Sequence, residues 1–80
     1  MDKTIASARQ RVLCELLRQA RAEAGLRQQD VAERLDEPQS FVSKVETGER
    51  RLDVIELREV CRVLGLTLTD FVQRLEERLG

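Results

Sequence analysis

The sequence lacks most of the residue types on which catalysis and metal binding depend. It contains no histidine, and its two cysteines, Cys14 and Cys61, are isolated and lie outside any C-x-x-C motif. The usual ligands are therefore too few to assemble a zinc site. A glycine-rich phosphate loop and a cysteine beside a base are also missing, so we expect no catalytic residue, no cofactor and no enzymatic activity. We expect both cysteines to be reduced and packed.

Aromatic residues are nearly absent, because Phe41 and Phe71 stand alone without tryptophan or tyrosine. The core must therefore be aliphatic. Glycine and proline are few, and charged residues make up 36% of the chain, which favours helices with solvated outer faces. A chain of 80 residues forms one small domain, and such a domain buries only about 60–65% of the surface that its unfolded chain exposes. These features predict a single all-α domain over residues 1–80, with modest stability that a second subunit would raise.

The sequence also has no apolar run near 18 residues, and its N-terminus lacks the apolar segment of a signal peptide. We therefore expect no membrane association and a cytoplasmic location.

An excess of positive charge is missing as well. The net charge is −1, and the segment from Arg27 to Arg51 contains five basic and six acidic residues. Non-specific affinity for nucleic acid comes mainly from phosphate neutralisation, so it should be weak here. DNA binding by such a chain must depend on a local surface, doubled by dimerisation.

Two short helices joined by a tight turn are predicted between Gly25 and Gly48. The first, from Gln28 to Leu35, has its apolar residues on one narrow face, and the turn is Asp36-Glu37-Pro38. The second runs from about Pro38 to Glu46 and directs Val42 and Val45 inward. Its outer face then carries an amide, two hydroxyls and an ammonium group, from Gln39, Ser40, Ser43 and Lys44. Such groups are suited to hydrogen bonding with base edges, so the segment indicates a helix-turn-helix.

This segment resembles the helix-turn-helix family of phage repressors, Cro and the xenobiotic-response-element (XRE) regulators. The matching residues are Arg21, Gly25-Leu26, Gln28, Val31-Ala32, Gln39-Ser40, Val42-Ser43, Glu46 and Gly48, continued by Arg50-Arg51, a helix over 54–64 and Gly65. The similarity covers roughly residues 13 to 72. It implies a five-helix, lambda-repressor-like domain with the helix-turn-helix at helices 2 and 3.

Three residues depart from the family pattern. Arg27 and Pro38 replace the usual serine or threonine caps, and Asp36 replaces the usual turn glycine. Asp tolerates a left-handed conformation better than most residues, and proline at a helix start loses no needed donor. The departures therefore reduce stability without changing the interpretation.

The resemblance also implies roles for individual residues. Base contacts would come from Gln39, Ser40, Ser43 and Lys44, and phosphate contacts from Arg27, Gln28, Arg50 and Arg51. Gln28 can also brace Gln39, and an ion pair between Arg21 and Glu46 would hold the second helix against helix 1. Phe41 either covers the edge of the core or touches a thymine methyl.

The flanking helices supply the predicted dimer contacts. Helix 1 should run from near Thr4 to Ala24, and its N-terminal extension, residues 1–8, either touches a second subunit or frays. In helix 4, capped by Asp53 with Glu56, the residues expected to face the core are Val54, Leu57, Val60, Cys61 and Leu64. In helix 5, within residues 67–80, those expected to pack inward are Leu68, Phe71 and Val72. Four apolar residues remain for a dimer interface, namely Ile55, Val63, Leu75 and Leu79.

The sequence thus predicts a homodimeric, sequence-specific transcriptional regulator that binds double-stranded DNA at a near-palindromic site. The alternative is an antitoxin-like or other protein-interaction module on the same fold, whose main partner is a protein. The neutral charge and the apolar C-terminal helix favour that alternative, and a salt titration of DNA binding distinguishes the two.

Overall fold

Five helices and no strand make up the part of the chain that the computed structural model describes, which is residues 3–80, with side chains from Ser7 onward. The helices are α1 (Lys3–Glu23), α2 (Gln28–Leu35), α3 (Gln39–Thr47), α4 (Val54–Val63) and α5 (Leu68–Leu79). The predicted all-α, five-helix class is confirmed, with most helix ends within one residue of their predicted positions. Met1 and Asp2, in the predicted extension 1–8, lie outside the described residues.

Two Gly-Leu pairs end α1 and α4 by the same hydrogen-bonding pattern. Gly25 adopts a left-handed φ of 73°, and the Leu26 amide donates to the Arg21 carbonyl at 3.2 Å. At the end of α4, Gly65 has a φ of 79° and the Leu66 amide donates to the Cys61 carbonyl at 2.9 Å. Each glycine turns the chain, and each leucine then returns to the helix it follows.

The starts of α4 and α5 are fixed by local side chains. Asp53 and Glu56 form a reciprocal capping box, in which each carboxylate accepts the other's backbone N–H at 2.8 and 2.9 Å. The Thr67 hydroxyl accepts the Asp70 amide at 3.0 Å. Helix α4 therefore begins directly after Asp53, where the sequence predicts, and α5 begins directly after Thr67.

The core is aliphatic around one aromatic ring, with Phe71 and Cys61 both fully buried. Side chains of all five helices meet there; α1 packs against α3 and α5, and α4 packs against α2 and α5. Cys14 and Cys61 are unpaired and buried, and burial raises the pKa of Cys61 to about 11. The thiol therefore stays protonated at neutral pH.

Four of the predicted orientations differ in the structure. Val54 and Val72 were expected in the core but are 61% and 38% exposed, because Val54 lies at the start of α4 and Val72 lies about 100° around the helix from buried Phe71. Val63 and Leu75, assigned to the dimer interface, are half-buried and pack partly against the core, which leaves part of each side chain exposed. Ile55, at 66%, and Leu79, at 38%, are exposed as expected.

Within the described residues, no helix has both the length and the apolar character needed to cross a bilayer.

Candidate nucleic-acid interface

The turn between α2 and α3 is tight because Asp36 adopts a left-handed conformation. Its φ and ψ are 57° and 43°, and the next amide, of Glu37, donates back to the Ala32 carbonyl at 2.9 Å. Pro38 then serves as the N-cap of α3 with a φ of −71°, and it makes no side-chain cap hydrogen bond. The ring fixes the extended backbone needed there, while the Phe41 amide closes the first turn on the Pro38 carbonyl at 2.9 Å.

Helix α3 separates its apolar and polar residues on opposite faces. Val42 and Val45 are buried at 5% and 6% exposure. Gln39, Ser40 and Lys44 are exposed to solvent, whereas Ser43 is half-buried on the flank. Three of the four residues predicted to contact bases therefore share an open surface.

A bidentate ion pair attaches the end of α3 to α1. Arg21 donates from Nε and Nη2 to the two Glu46 carboxylate oxygens at 2.6 and 3.0 Å, and from Nη1 to the Leu26 carbonyl at 2.9 Å. The side chains are only 17% and 7% exposed. Hydrogen bonding to Glu46 raises the pKa of Arg21, so the guanidinium stays charged at all accessible pH values.

Gln28 joins the same network from the start of α2. Its Nε2 donates to Glu46 Oε1 at 3.0 Å, so the amide braces the carboxylate and not Gln39. One N–H of this amide remains for another acceptor, because a glutamine amide carries two donors. Glu46 thus receives hydrogen bonds from two helices, and the orientation of α3 is fixed relative to both.

Arg27, which immediately precedes α2, forms an ion pair with Asp30 of that helix. Asp30 accepts the Arg27 backbone amide at 2.9 Å and its guanidinium at 3.1 and 2.9 Å. These hydrogen bonds lower the pKa of Asp30 to about 2. The pair is exposed, so the Arg27 charge is accessible but partly neutralised.

The two arginines of the loop between α3 and α4 have different surroundings. Arg50 donates to both oxygens of Glu56 at 3.1 and 2.6 Å, and its guanidinium lies 5.1 Å from the centroid of the Phe41 ring. Hydrogen bonding from Arg50, followed by that from the Asp53 amide, lowers the pKa of Glu56 to about 2. Arg51 is exposed and forms no ion pair with any residue from 7 to 80.

Two contacts of this surface, those of Arg50 with Glu56 and with Phe41, were not expected from the sequence. Glu56 was predicted only as a helix cap, yet it also holds Arg50. Of the two roles left open for Phe41, the structure shows the first: the ring packs at the edge of the core. The Arg50 guanidinium lies over this ring. No periodic pattern connects these residues, because the contacts depend on how the loop folds back on α4.

Two short helices joined by a tight turn, the second with its polar face exposed and braced from behind, define a helix-turn-helix DNA-binding domain. The helix-turn-helix family matches this chain over residues 17–71. An XRE-family like protein from Pseudomonas syringae pv. tomato str. DC3000 has a similar structure, with 47% identity, a TM-score of 0.88, and coverage of 98% of this chain and 95% of that one. The chain therefore belongs to the XRE-type helix-turn-helix family.

A more distant structure shares the fold. It is a point mutant of the restriction-modification controller protein C.Esp1396I, with 21% identity, a TM-score of 0.81, and coverage of 89% of this chain and 90% of that one. No curated protein matches the sequence.

Proposed function

We propose that this chain is a cytoplasmic, homodimeric transcriptional regulator that recognises a near-palindromic DNA sequence through α3. The observation that carries the proposal is the exposed polar face of α3, with Gln39, Ser40 and Lys44 on a helix whose opposite face is buried. The ion pair of Arg21 with Glu46 supports the proposal, because a rigid reading helix loses little orientational freedom on entering the major groove.

The base contacts follow from the chemistry of these side chains. Gln39, in the first turn of α3, can form a bidentate pair with adenine, and Lys44 can reach the acceptors of guanine. Ser40 and Ser43 have short hydroxyls that donate and accept, so they discriminate weakly. Most of the specificity is therefore assigned to Gln39 and Lys44.

The phosphate contacts are assigned unequally. Arg51 is exposed and carries charge that no described residue neutralises, so it is the principal phosphate contact of the loop. Gln28 and Arg27 at the start of α2 contribute a free amide N–H and a partly neutralised guanidinium. Arg50 supports the loop through Glu56 and Phe41, and its phosphate contact is secondary.

Dimerisation places two copies of α3 in successive major grooves, about 34 Å apart. The described chain measures 35 × 24 × 21 Å, so two protomers side by side span that distance. Ile55 and Leu79 are exposed apolar side chains that a second copy would cover, and Val63 and Leu75 add their remaining exposed edges. The segment 67–80, which contains α5, is thus assigned to the interface as well as to the core.

The test is selection of bound sequences from a random DNA library, followed by affinity measurements on single-base variants of the selected site. We expect a two-fold symmetric site. Gln39→Ala should lose about 1–3 kcal/mol of discrimination at one base pair in each half-site. Gln73→Ala makes the same chemical change at an exposed position on α5, outside the helix-turn-helix, and should leave the preference intact. Recovery of random sequences by the unaltered protein would refute the proposal.

A protein-binding, antitoxin-like module is the second candidate function. The exposed apolar pair Val54 and Ile55 at the start of α4 favours it, because such a pair suits contact with a protein. A DNA-binding regulator should keep its sequence preference at physiological salt and lose affinity steeply as salt rises. Binding to protein alone, without DNA preference, would select the second function.

A further inference from the structure

An open groove of about 370 Å³ lies between the N-terminal half of α1 and the loop that follows α3. Three arginines line it, Arg11 and Arg18 from α1 and Arg51 from the loop, together with the carboxylates of Glu15 and Glu46. The groove is open to solvent, and it is many times larger than the space of about 10–15 Å³ that one water molecule needs. It therefore has room for a hydrated anionic group.

The two carboxylates of the groove form ion pairs with arginines that do not line it. Glu46 accepts both hydrogen bonds from Arg21, and Glu15 lies 3.6 Å from the Arg78 guanidinium of α5. The three arginines, by contrast, are exposed and form no ion pair with any residue that the structure describes beyond Ala6. The groove is thus locally positive although the whole chain has a net charge of −1.

Helical spacing places the α1 residues of the groove on one face. Arg11, Cys14 and Arg18 are three and four residues apart, so they follow one another along the same side of α1. Buried Cys14 holds this side against α3, because its Sγ donates to the Val45 carbonyl at 3.3 Å. The arginines on either side of Cys14 therefore flank the end of the reading helix.

The separation of the two arginines favours an extended anion. They lie two turns apart, about 10 Å along the axis of α1, which suits neighbouring phosphates of one DNA strand better than a single ion. The groove also shares Arg51 with the loop to which the phosphate contacts are assigned. A DNA backbone leaving that loop would therefore continue along α1.

We propose that Arg11 and Arg18 bind DNA backbone phosphates beside the site that α3 reads, so that the interface extends from the loop onto α1. This assignment rests on the proposed function. The two arginines add affinity and salt dependence but no sequence information, since phosphates are the same in every sequence.

The experiment compares two doubly substituted proteins on the DNA site selected by the unaltered chain. The test variant is Arg11→Gln with Arg18→Gln. The control is Arg9→Gln with Arg62→Gln, which makes the same change in charge at exposed positions that do not line the groove. Fluorescence anisotropy measures affinity over a range of salt concentrations, and circular dichroism checks that each variant is folded.

We expect the slope of log affinity against log salt to become shallower by about 0.9 for each arginine–phosphate pair removed, or about 1.8 for each bound protomer. The control should keep the slope of the unaltered protein, and the base preference should be the same in all three. Trimming the DNA flanks should weaken binding by the unaltered protein but not by the test variant. Equal slopes for test and control would overturn the assignment.

Two further results separate the causes of a failure. If the unaltered protein shows no sequence preference, the proposed function is refuted whatever the variants do. If inorganic phosphate raises the Tm of the unaltered protein but not of the test variant, while the salt slopes on DNA coincide, the groove binds a free anion and the DNA assignment is wrong.

Discussion

Glu46, near the end of α3, is a charged side chain in nearly buried surroundings. It is 7% exposed, and it accepts hydrogen bonds from Arg21 on α1 and Gln28 on α2. A carboxylate so buried is stable only because both of its oxygens accept hydrogen bonds. The same hydrogen bonds make it the point at which three helices are joined.

Glu46→Ala should therefore lower the free energy of unfolding by about 2–3 kcal/mol, because Arg21 would be left largely buried without its partner. Urea denaturation measures the change. Glu49→Ala, at an exposed position three residues along the chain, should change the stability by no more than about 0.5 kcal/mol. Equal effects of the two substitutions would show that the ion pair contributes nothing in solution.

Protonation of Glu56, which pairs with Arg50 of the loop between α3 and α4, should make the stability of the protein depend on pH. Its folded pKa of about 2 lies below the ordinary 4.5, so its contribution is complete above pH 4.5 and is lost as the pH falls towards 2. Glu56→Gln should be less stable than the unaltered protein at neutral pH. The difference should shrink between pH 5 and pH 2, where the unaltered carboxyl also becomes neutral.

Thermal unfolding across this pH range tests the prediction. Glu77→Gln on α5 serves as the control, because Glu77 is exposed and makes no ion pair with the residues that the structure describes. Its stability difference should stay flat with pH. A flat difference for Glu56→Gln as well would contradict the pairing with Arg50.

At the scale of the element, the α2–α3 turn determines where α3 begins. Asp36 is the one non-glycine residue from position 7 onward that has a positive φ, at 57°. Pro38 follows at the N-cap without a side-chain hydrogen bond. The turn therefore carries backbone strain that a family-type glycine would remove, while α3 depends for its stability on packing and on Glu46.

Asp36→Gly should raise the free energy of unfolding by about 0.5–1 kcal/mol, because glycine adopts the left-handed conformation without a Cβ penalty. Glu37→Gly is the matched control. Glu37 has an ordinary negative φ, so glycine there should lower stability by a similar amount through the entropy of the unfolded chain. Chemical denaturation gives both values, and destabilisation by Asp36→Gly would show that the turn is unstrained.

At the scale of the whole molecule, the proposed dimer depends on exposed apolar side chains. Ile55 is 66% exposed on the second residue of α4, and Leu79 is 38% exposed near the end of α5. Leu75 is a poorer probe of the interface than its place in the sequence indicates, because it packs partly on the core. A charge at Leu75 would disturb the fold and the interface together.

Ile55→Asp should shift the protein towards monomers in sedimentation equilibrium, since it places a charge in the proposed interface. The fold should persist, because an acidic residue in the first turn of a helix is favourable. Gln29→Asp introduces the same charge at the second residue of α2, which is also exposed and lies outside the residues assigned to the interface, and it should leave the dimer intact. A dimer constant unaffected by Ile55→Asp would remove α4 from the interface.

Local signals in the sequence were sufficient to define the helices and the face that α3 exposes. The Gly-Leu stops, the Asp53–Glu56 cap and the apolar spacing at Val42 and Val45 act over a few residues, so they can be identified without the fold. The same local signals located the helix-turn-helix.

Packing between the helices, by contrast, decided that Arg50 forms an ion pair with Glu56 while Arg51 forms none with the described residues. It also decided how far Val54, Val63 and Leu75 are buried. It alone placed Arg11 and Arg18 beside the loop of Arg51. These features depend on the rotation of each helix and on contacts between residues distant in sequence. Periodicity gives the faces of a helix, but packing decides what each face meets.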